Sequence, residues 1–151
     1  GMTLFDTLSI IPSKTYYRLE LSEKGKFELN KIKENECNNK IVKVINKKTI
    51  AGKKIQLNLS DGGNFLVEPK FNCTTNDSVI INFKDKKIEK CLPLKEKSNA
   101  IIFAGKHSGK TGQIEKIISE QVQDSKGKKM VIIESKKEKI NVLIKQIMTI
   151  E

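Results

Sequence analysis

Apolar and polar residues alternate along most of this chain, and a period of two limits its possible folds more than any single motif does. Tyr16-Tyr17-Arg18-Leu19-Glu20-Leu21, Lys26-Phe27-Glu28-Leu29, Lys40-Ile41-Val42-Lys43-Val44-Ile45 and Lys54-Ile55-Gln56-Leu57-Asn58-Leu59 carry the pattern. Successive side chains on a strand point to opposite faces, so each segment is expected to bury one face and wet the other. Turn residues part the segments at short intervals: Glu23-Lys24-Gly25, Asn38-Asn39, Ala51-Gly52, Ser60-Asp61-Gly62-Gly63-Asn64 and Thr75-Asn76-Asp77. Short strands at such spacing predict an all-β protein of small barrels or sandwiches.

The clearest hairpin is Gln56-Leu57-Asn58-Leu59 returning through Asp61-Gly62-Gly63 into Asn64-Phe65-Leu66-Val67, because glycine accepts positive φ at the tip without strain. Leu57, Leu59, Phe65 and Val67 then face one core. Val79-Ile80-Ile81-Asn82-Phe83 is a further strand, and Lys84 to Lys90 a charged turn or hairpin before Cys91-Leu92-Pro93-Leu94. Pro93 and the charged run Lys95-Glu96-Lys97 place an expected boundary, giving a central β domain over 1–94 and a second small barrel over 95–151. Asn99 to Phe103, Gln113 to Ile118, Met130 to Glu134, Val142 to Ile144 and Ile147 to Ile150 suffice for a five-stranded, SH3-like barrel in the second part.

The charge points to a polyanion. There are 29 Lys+Arg against 18 Asp+Glu in 151 residues, a net charge of +11, spread along the chain and not gathered in a tail. Arg18 is the only arginine, so nearly all of the positive charge is lysine, a point charge without the planar fork that reads guanine or phosphate bidentately. Phosphate contact is favoured over base readout. A lysine-rich, isoleucine-rich composition also fits a biased genome, which bears on the choice of lysine over arginine but not on the net charge.

Cys37, Cys73 and Cys91 are odd in number and widely spaced, which predicts isolated reduced thiols in a cytosolic protein and neither a disulfide framework nor a metal pair. No apolar run approaches the roughly 18 residues of a membrane span, and no signal-peptide pattern opens the chain. A glycine before Met2 is not an initiator sequence, so the natural chain is expected to begin at Met2 or earlier.

The loop Ala104-Gly105-Lys106-His107-Ser108-Gly109-Lys110-Thr111 supports two readings. As a relaxed phosphate loop, with alanine for the first glycine, it would make the chain a small nucleotide-binding protein using Lys110 and Thr111. Ile114, Ile117, Ile118 and Val122 at helical spacing, and Val131-Ile132-Ile133-Glu134 as an acidic strand, favour that reading. Against it, residues 112–151 are too few for the parallel sheet such a helix crosses, and Gly112 weakens a first helical turn. In a β reading the three glycines each serve a tight loop.

Gly105-x-x-x-Gly109-x-x-Gly112 with Gln113-Ile114 after it and Ile101-Ile102-Phe103 before it resembles the KOW motif of SH3-like barrels in ribosomal and transcription proteins. A KOW transcription factor gripping polymerase or nascent RNA is therefore a further alternative. The wider chain resembles the S4e family of small-subunit ribosomal proteins of archaea and eukaryotes. Phe5-Asp6-Thr7-Leu8-Ser9-Ile10, Tyr17-Arg18-Leu19, Lys24-Gly25-Lys26-Phe27, Lys40 to Val44, Gln56 to Asn64, Asn76-Asp77-Ser78-Val79 and the KOW loop carry the resemblance, in the family's order. It implies a central β domain and a KOW barrel on small-subunit ribosomal RNA, beside neighbouring ribosomal proteins, in the cytoplasm. No catalysis, cofactor, membrane or small-molecule substrate is expected, and the chain should be a monomer off the ribosome. Family members also carry a basic segment and an α-rich RNA-binding module upstream, so a truncated chain is expected. Ala104 stands where the family usually has glycine, and Lys106-His107 is more basic than the family's loop.

The candidate RNA contacts are Lys47, Lys48, Lys53 and Lys54 around one turn; Gly105, Lys106, His107, Ser108, Gly109 and Lys110 on the KOW loop; and Lys126, Lys128 and Lys129 in a lysine-rich hairpin. Lysines and loop amides would reach phosphate oxygens, and His107 would stack on a base. His107 has no carboxylate or second ligand in the flanking sequence to make it a catalytic base or metal ligand. Tyr16, Tyr17 and the six phenylalanines are expected in packing, not in base stacking.

Overall fold

A computed structural model describes residues 2–118 and 130–151, and the chain is all-β, as the alternation predicts. A first sheet of three antiparallel strands contains β1 (Thr7–Ile10), β2 (Thr15–Leu21) and β3 (Phe27–Ile32). A second, five-stranded sheet has β4 (Asn39–Ile50), β5 (Lys54–Leu59), β6 (Asn64–Val67), β7 (Ser78–Asn82) and β8 (Lys87–Leu92) in the order β6-β5-β4-β7-β8. The third contains β9 (Asn99–Ile102), β10 (Thr111–Ile118), β11 (Met130–Ser135), β12 (Glu138–Leu143) and β13 (Ile147–Thr149) in the order β12-β11-β10-β9-β13.

Register shifts at Val44/Asn46 in the β4–β5 pair, Ile80/Ile81 in β7–β8 and Ile114/Lys116 in β10–β11 add local twist and curl the larger sheets. The second sheet closes over Val42, Val44, Leu57, Leu59, Val79 and Ile81, with Phe65 and Val67 packed against them as the hairpin pattern requires. Gly62 sits at that hairpin's tip with φ +91. The third sheet closes over Ile102, Ile114, Val131, Ile133, Ile140, Val142 and Ile147, an almost wholly β-branched core that suits a pleated surface.

Three details depart from the sequence reading. β8 starts at Lys87, so only the first part of the Lys84–Lys90 run is turn. Thr7–Ile10 forms a strand, and β12 begins as early as Glu138. The third is the expectation that each strand wets one face, which fails in the first half of β4. There Val42 and Val44 enter the second sheet's core, while Ile41 on the opposite face joins Phe5, Ile101, Phe103 and Met148 in a cluster shared with β9 and β13.

Burial of both faces carries two lysines inside. Lys40, 3% exposed, pairs with Asp6 at 2.5 Å and Asp61 at 3.2 Å and donates to the Thr3 hydroxyl at 2.6 Å. Lys43, 4% exposed, donates to the Ile144 carbonyl at 2.7 Å and lies 5.6 Å from the centre of the Phe103 ring, with no carboxylate partner among the described residues. A buried ammonium with one neutral acceptor and a cation–π contact is poorly compensated. Desolvation accordingly pulls its pKa from 10.5 down to about 8.

The native state therefore binds this proton less well than the unfolded chain does, and the penalty is in full force below about pH 8. Stability should rise as pH climbs from 8 toward 10.5, by an amount on the order of 1–3 kcal/mol from this group. Urea unfolding of the wild type and of Lys43→Met at pH 7, 8, 9 and 9.5 checks this. The wild-type curve should climb relative to that of the variant, and parallel curves would refute the assignment.

Candidate nucleic-acid interface

The KOW loop is held by its glycines against another sheet. Gly109, with φ +98, is buried against the β2–β3 turn, where a Cβ would overlap the Ser22 carbonyl oxygen and lie 2.6 Å from the Gly25 nitrogen. Gly25, with φ +80, faces the loop in turn, its Cβ position 2.8 Å from the Ser108 carbonyl oxygen. Gly105, φ +86, would place a Cβ 2.6 Å from Gln146 Nε2, and a Cβ on Gly112 would overlap the Glu134 carbonyl. Close backbone approach thus accounts for glycine at positions 25, 109 and 112, and the left-handed φ for glycine at 105.

The same geometry overturns the phosphate-loop reading. The residues after the loop form strand β10, beginning at Thr111, and among the described residues no helix N-terminus points into the loop. The loop's amides are also spent internally: Ser108 N donates to Gly105 O, Gly109 N to Ile102 O and Lys110 N to His107 O. Engaged in this way, these three amides are not free to form the phosphate cradle of a nucleotide-binding loop.

Docking of the loop brings three turns together. Gly25 touches Ser108; Glu23, in the same β2–β3 turn, bonds Lys136 of the β11–β12 turn at 2.8 Å; and Lys110 of the loop lies 3.8 Å from Glu138 beside that turn. Lys136 and Lys137 have φ +49 and +67, a two-residue turn with left-handed residues that projects both side chains outward. Lys24, Lys26, Lys106, Lys136 and Lys137 are exposed and Lys110 is half-buried, with Glu23 and Glu138 as their acidic partners among the described residues. Lys136 holds the Glu23 carboxyl below its ordinary pKa through a hydrogen bond.

Of the residues singled out from sequence, Lys106 and Lys110 belong to this patch, and His107 and Ser108 are half-buried beside it. Lys24, Lys26, Lys136 and Lys137 were missed, because only the packing of two sheets makes their turns neighbours of the loop. Lys48, Lys53 and Lys54 form a separate exposed group at the end of the β4–β5 hairpin, where Gly52 and Lys53 turn the chain with φ +81 and +59. Lys47 does not join them: its ammonium donates to the Cys73 carbonyl at 2.8 Å and serves the fold. Arg18 is equally committed, donating to the carbonyls of Glu36 at 2.7 Å and Asn39 at 3.1 Å. Lys126, Lys128 and Lys129 lie outside the described residues.

Gly109→Ala should therefore cost stability, at least about 2 kcal/mol for forcing a Cβ into backbone at a left-handed position. Thermal or urea unfolding measures it; an unchanged midpoint would mean that the loop does not dock as described.

Comparison with known proteins accords with this arrangement. The family profile described as ribosomal family S4e matches residues 13–88, half of the chain. The small ribosomal subunit protein eS4 of Nanoarchaeum equitans is 39% identical over 115 residues, covering 76% of this chain and 48% of that protein. The eS4 of Methanospirillum hungatei is 33% identical over 117 residues, again with 76% and 48% covered. The chain thus spans about half the length of these curated relatives. The crystal structure of the 30S ribosomal protein S4e from Thermoplasma acidophilum superposes with a TM-score of 0.79 over 99% of this chain and 72% of that one, at 24% identity, which speaks for the fold. With a profile match that runs from before β2 to the start of β8 and a relative 39% identical over 76% of the chain, the chain belongs to the ribosomal protein S4e family.

Proposed function

We propose that this chain is a structural, non-catalytic constituent of the small ribosomal subunit that grips ribosomal RNA by lysine–phosphate contact. The observation that carries the reading is the convergence of three turns from two sheets into one patch of six lysines and two glutamates. Each lysine presents a mobile point charge suited to backbone phosphates, and the one arginine is tied into the fold. Lys48, Lys53 and Lys54 supply a second contact on the β4–β5 hairpin, and Lys126, Lys128 and Lys129 belong to the same reading. His107, half-buried at the loop, contributes shape more than stacking.

Neighbouring ribosomal proteins are the second class of partner, supported by Leu8, Ile10, Phe27 and Leu29, exposed apolar residues brought to one face of the three-stranded sheet by its register. The division into units over 1–94 and 95–151, a cytoplasmic ribosomal location and a monomeric state off the ribosome complete the reading. Membership of the S4e family favours it over a KOW transcription factor.

Salt dependence is the test. Binding of the chain to small-subunit ribosomal RNA, followed by filter retention from low to high KCl, should weaken with a log–log slope of about −3 or steeper as counterions are released. Lys106→Gln and Lys137→Gln should each flatten that slope by about one unit and weaken binding to all sequences alike. A slope near zero, or variants indistinguishable from the wild type, would contradict the proposal.

A further inference from the structure

Read along the sequence, Cys73, Asp77 and Cys91 are unrelated; in the fold they meet. The two Sγ atoms and a carboxylate oxygen of Asp77 all lie within 4.8 Å of one another, correcting the expectation of isolated thiols. Cys73 lies on the connection between β6 and β7, Asp77 ends that connection, and pairing of β7 with β8 through Ser78↔Leu92 and Val79↔Cys91 sets Cys91 alongside. Cys73 is 1% exposed and Asp77 is buried, while Cys91 is partly open. Cys37 is outside the cluster.

We propose that Cys73, Cys91 and Asp77 form a binding site for a zinc-like divalent cation, through two sulfurs and one carboxylate oxygen, with the fourth tetrahedral position left to water on the Cys91 side. The dimensions fit. Bonds of about 2.3 Å to sulfur and 2.0–2.2 Å to oxygen in a tetrahedron require ligand atoms roughly 3.5–3.8 Å apart. Cys91 Sγ already lies 3.7 Å from Asp77 Oδ2, and closing the remaining edges from within 4.8 Å is a matter of small side-chain rotations.

The carboxylate is held in place for this role. Thr74 N donates to Oδ2 at 3.0 Å and Leu94 N to Oδ1 at 2.8 Å, fixing the group while each oxygen keeps a further lone pair. Charge also balances. Two thiolates, one carboxylate and a divalent cation sum to −1, and Lys47, anchored on the carbonyl of Cys73 itself, supplies the compensating +1. Coordination as thiolates releases two protons to solvent. The sulfur pair selects zinc, cadmium or cobalt over magnesium and calcium, which take oxygen ligands. Bound there, the ion would clamp the β6–β7 connection to β8 and, through Asp77 and Leu94, to the segment that leads into the third sheet.

The test uses the whole chain, reduced and stripped with chelator, titrated with Cd2+ or Co2+ in the absence of oxygen. One equivalent should raise a sulfur-to-metal charge-transfer band, and Zn2+ should displace Co2+ and abolish its band. Cys91→Ser, at the more exposed position, should remove most of the band. Asp77→Asn should weaken binding roughly tenfold or more. Cys37→Ser should leave the titration unchanged. No band at one equivalent, or a band that survives Cys91→Ser or disappears in Cys37→Ser, would overturn the proposal. The outcome is independent of RNA binding.

Discussion

Lys40 is the point from which the packing can be followed. Its ammonium is drawn out of water between Asp6 of the N-terminal segment and Asp61 of the Asp-Gly-Gly turn, with the Thr3 hydroxyl as a third partner. A charge buried this deeply is tolerable only when it is paired and hydrogen-bonded, and losing both carboxylates would leave it uncompensated. The contact therefore ties two stretches of chain, the N-terminal segment and the Asp61 turn, to β4. With the N-terminal segment held there, Phe5 reaches Ile101 and Met148, and the cluster they form joins the first sheet to the third. Docking of the KOW loop on the β2–β3 turn, and with it the assembly of the lysine patch, depends on that placement.

Strand positions were legible in the sequence because they follow from local pattern. The Gln56–Val67 hairpin, the β-branched runs of the third sheet and the turns at Gly25 and Gly52 need only near neighbours to specify them. The second face of β4 was not legible. Lys40 and Lys43, three residues apart, lie on opposite faces of β4: Lys40 is on the side of Val42 and Val44, and only the arrival of the third sheet against Ile41 and Lys43 turns the second face inward. Lysine count alone overstates the charge free to meet a partner, since Lys40, Lys43 and Lys47 are spent on carboxylates and carbonyls.

Long-range geometry explains the other omissions. Cys73 and Cys91 become neighbours through the register of β7 and β8 with the connection before them, and no spacing rule for local metal motifs reaches that far. The patch at the KOW loop was half legible. Lys106 and Lys110 stand out as lysines between glycines, whereas Lys24, Lys26, Lys136 and Lys137 sit in ordinary hairpin turns until two sheets pack. Gly109, the second glycine of the phosphate-loop pattern, turned out to be a site of backbone contact with the β2–β3 turn.

Charge is thus sorted by the fold into lysines that hold the sheets together and lysines left exposed, which the proposed function assigns to RNA. Acylation footprinting of lysines, read by mass spectrometry on the free chain and on the chain bound to small-subunit ribosomal RNA, tests that division most directly. Lys40 and Lys43 should resist labelling in both states, while Lys24, Lys106 and Lys137 should label freely alone and become protected by RNA. Ready labelling of Lys40 and Lys43 in the native chain, or RNA protection that spares the three-turn patch, would contradict the account.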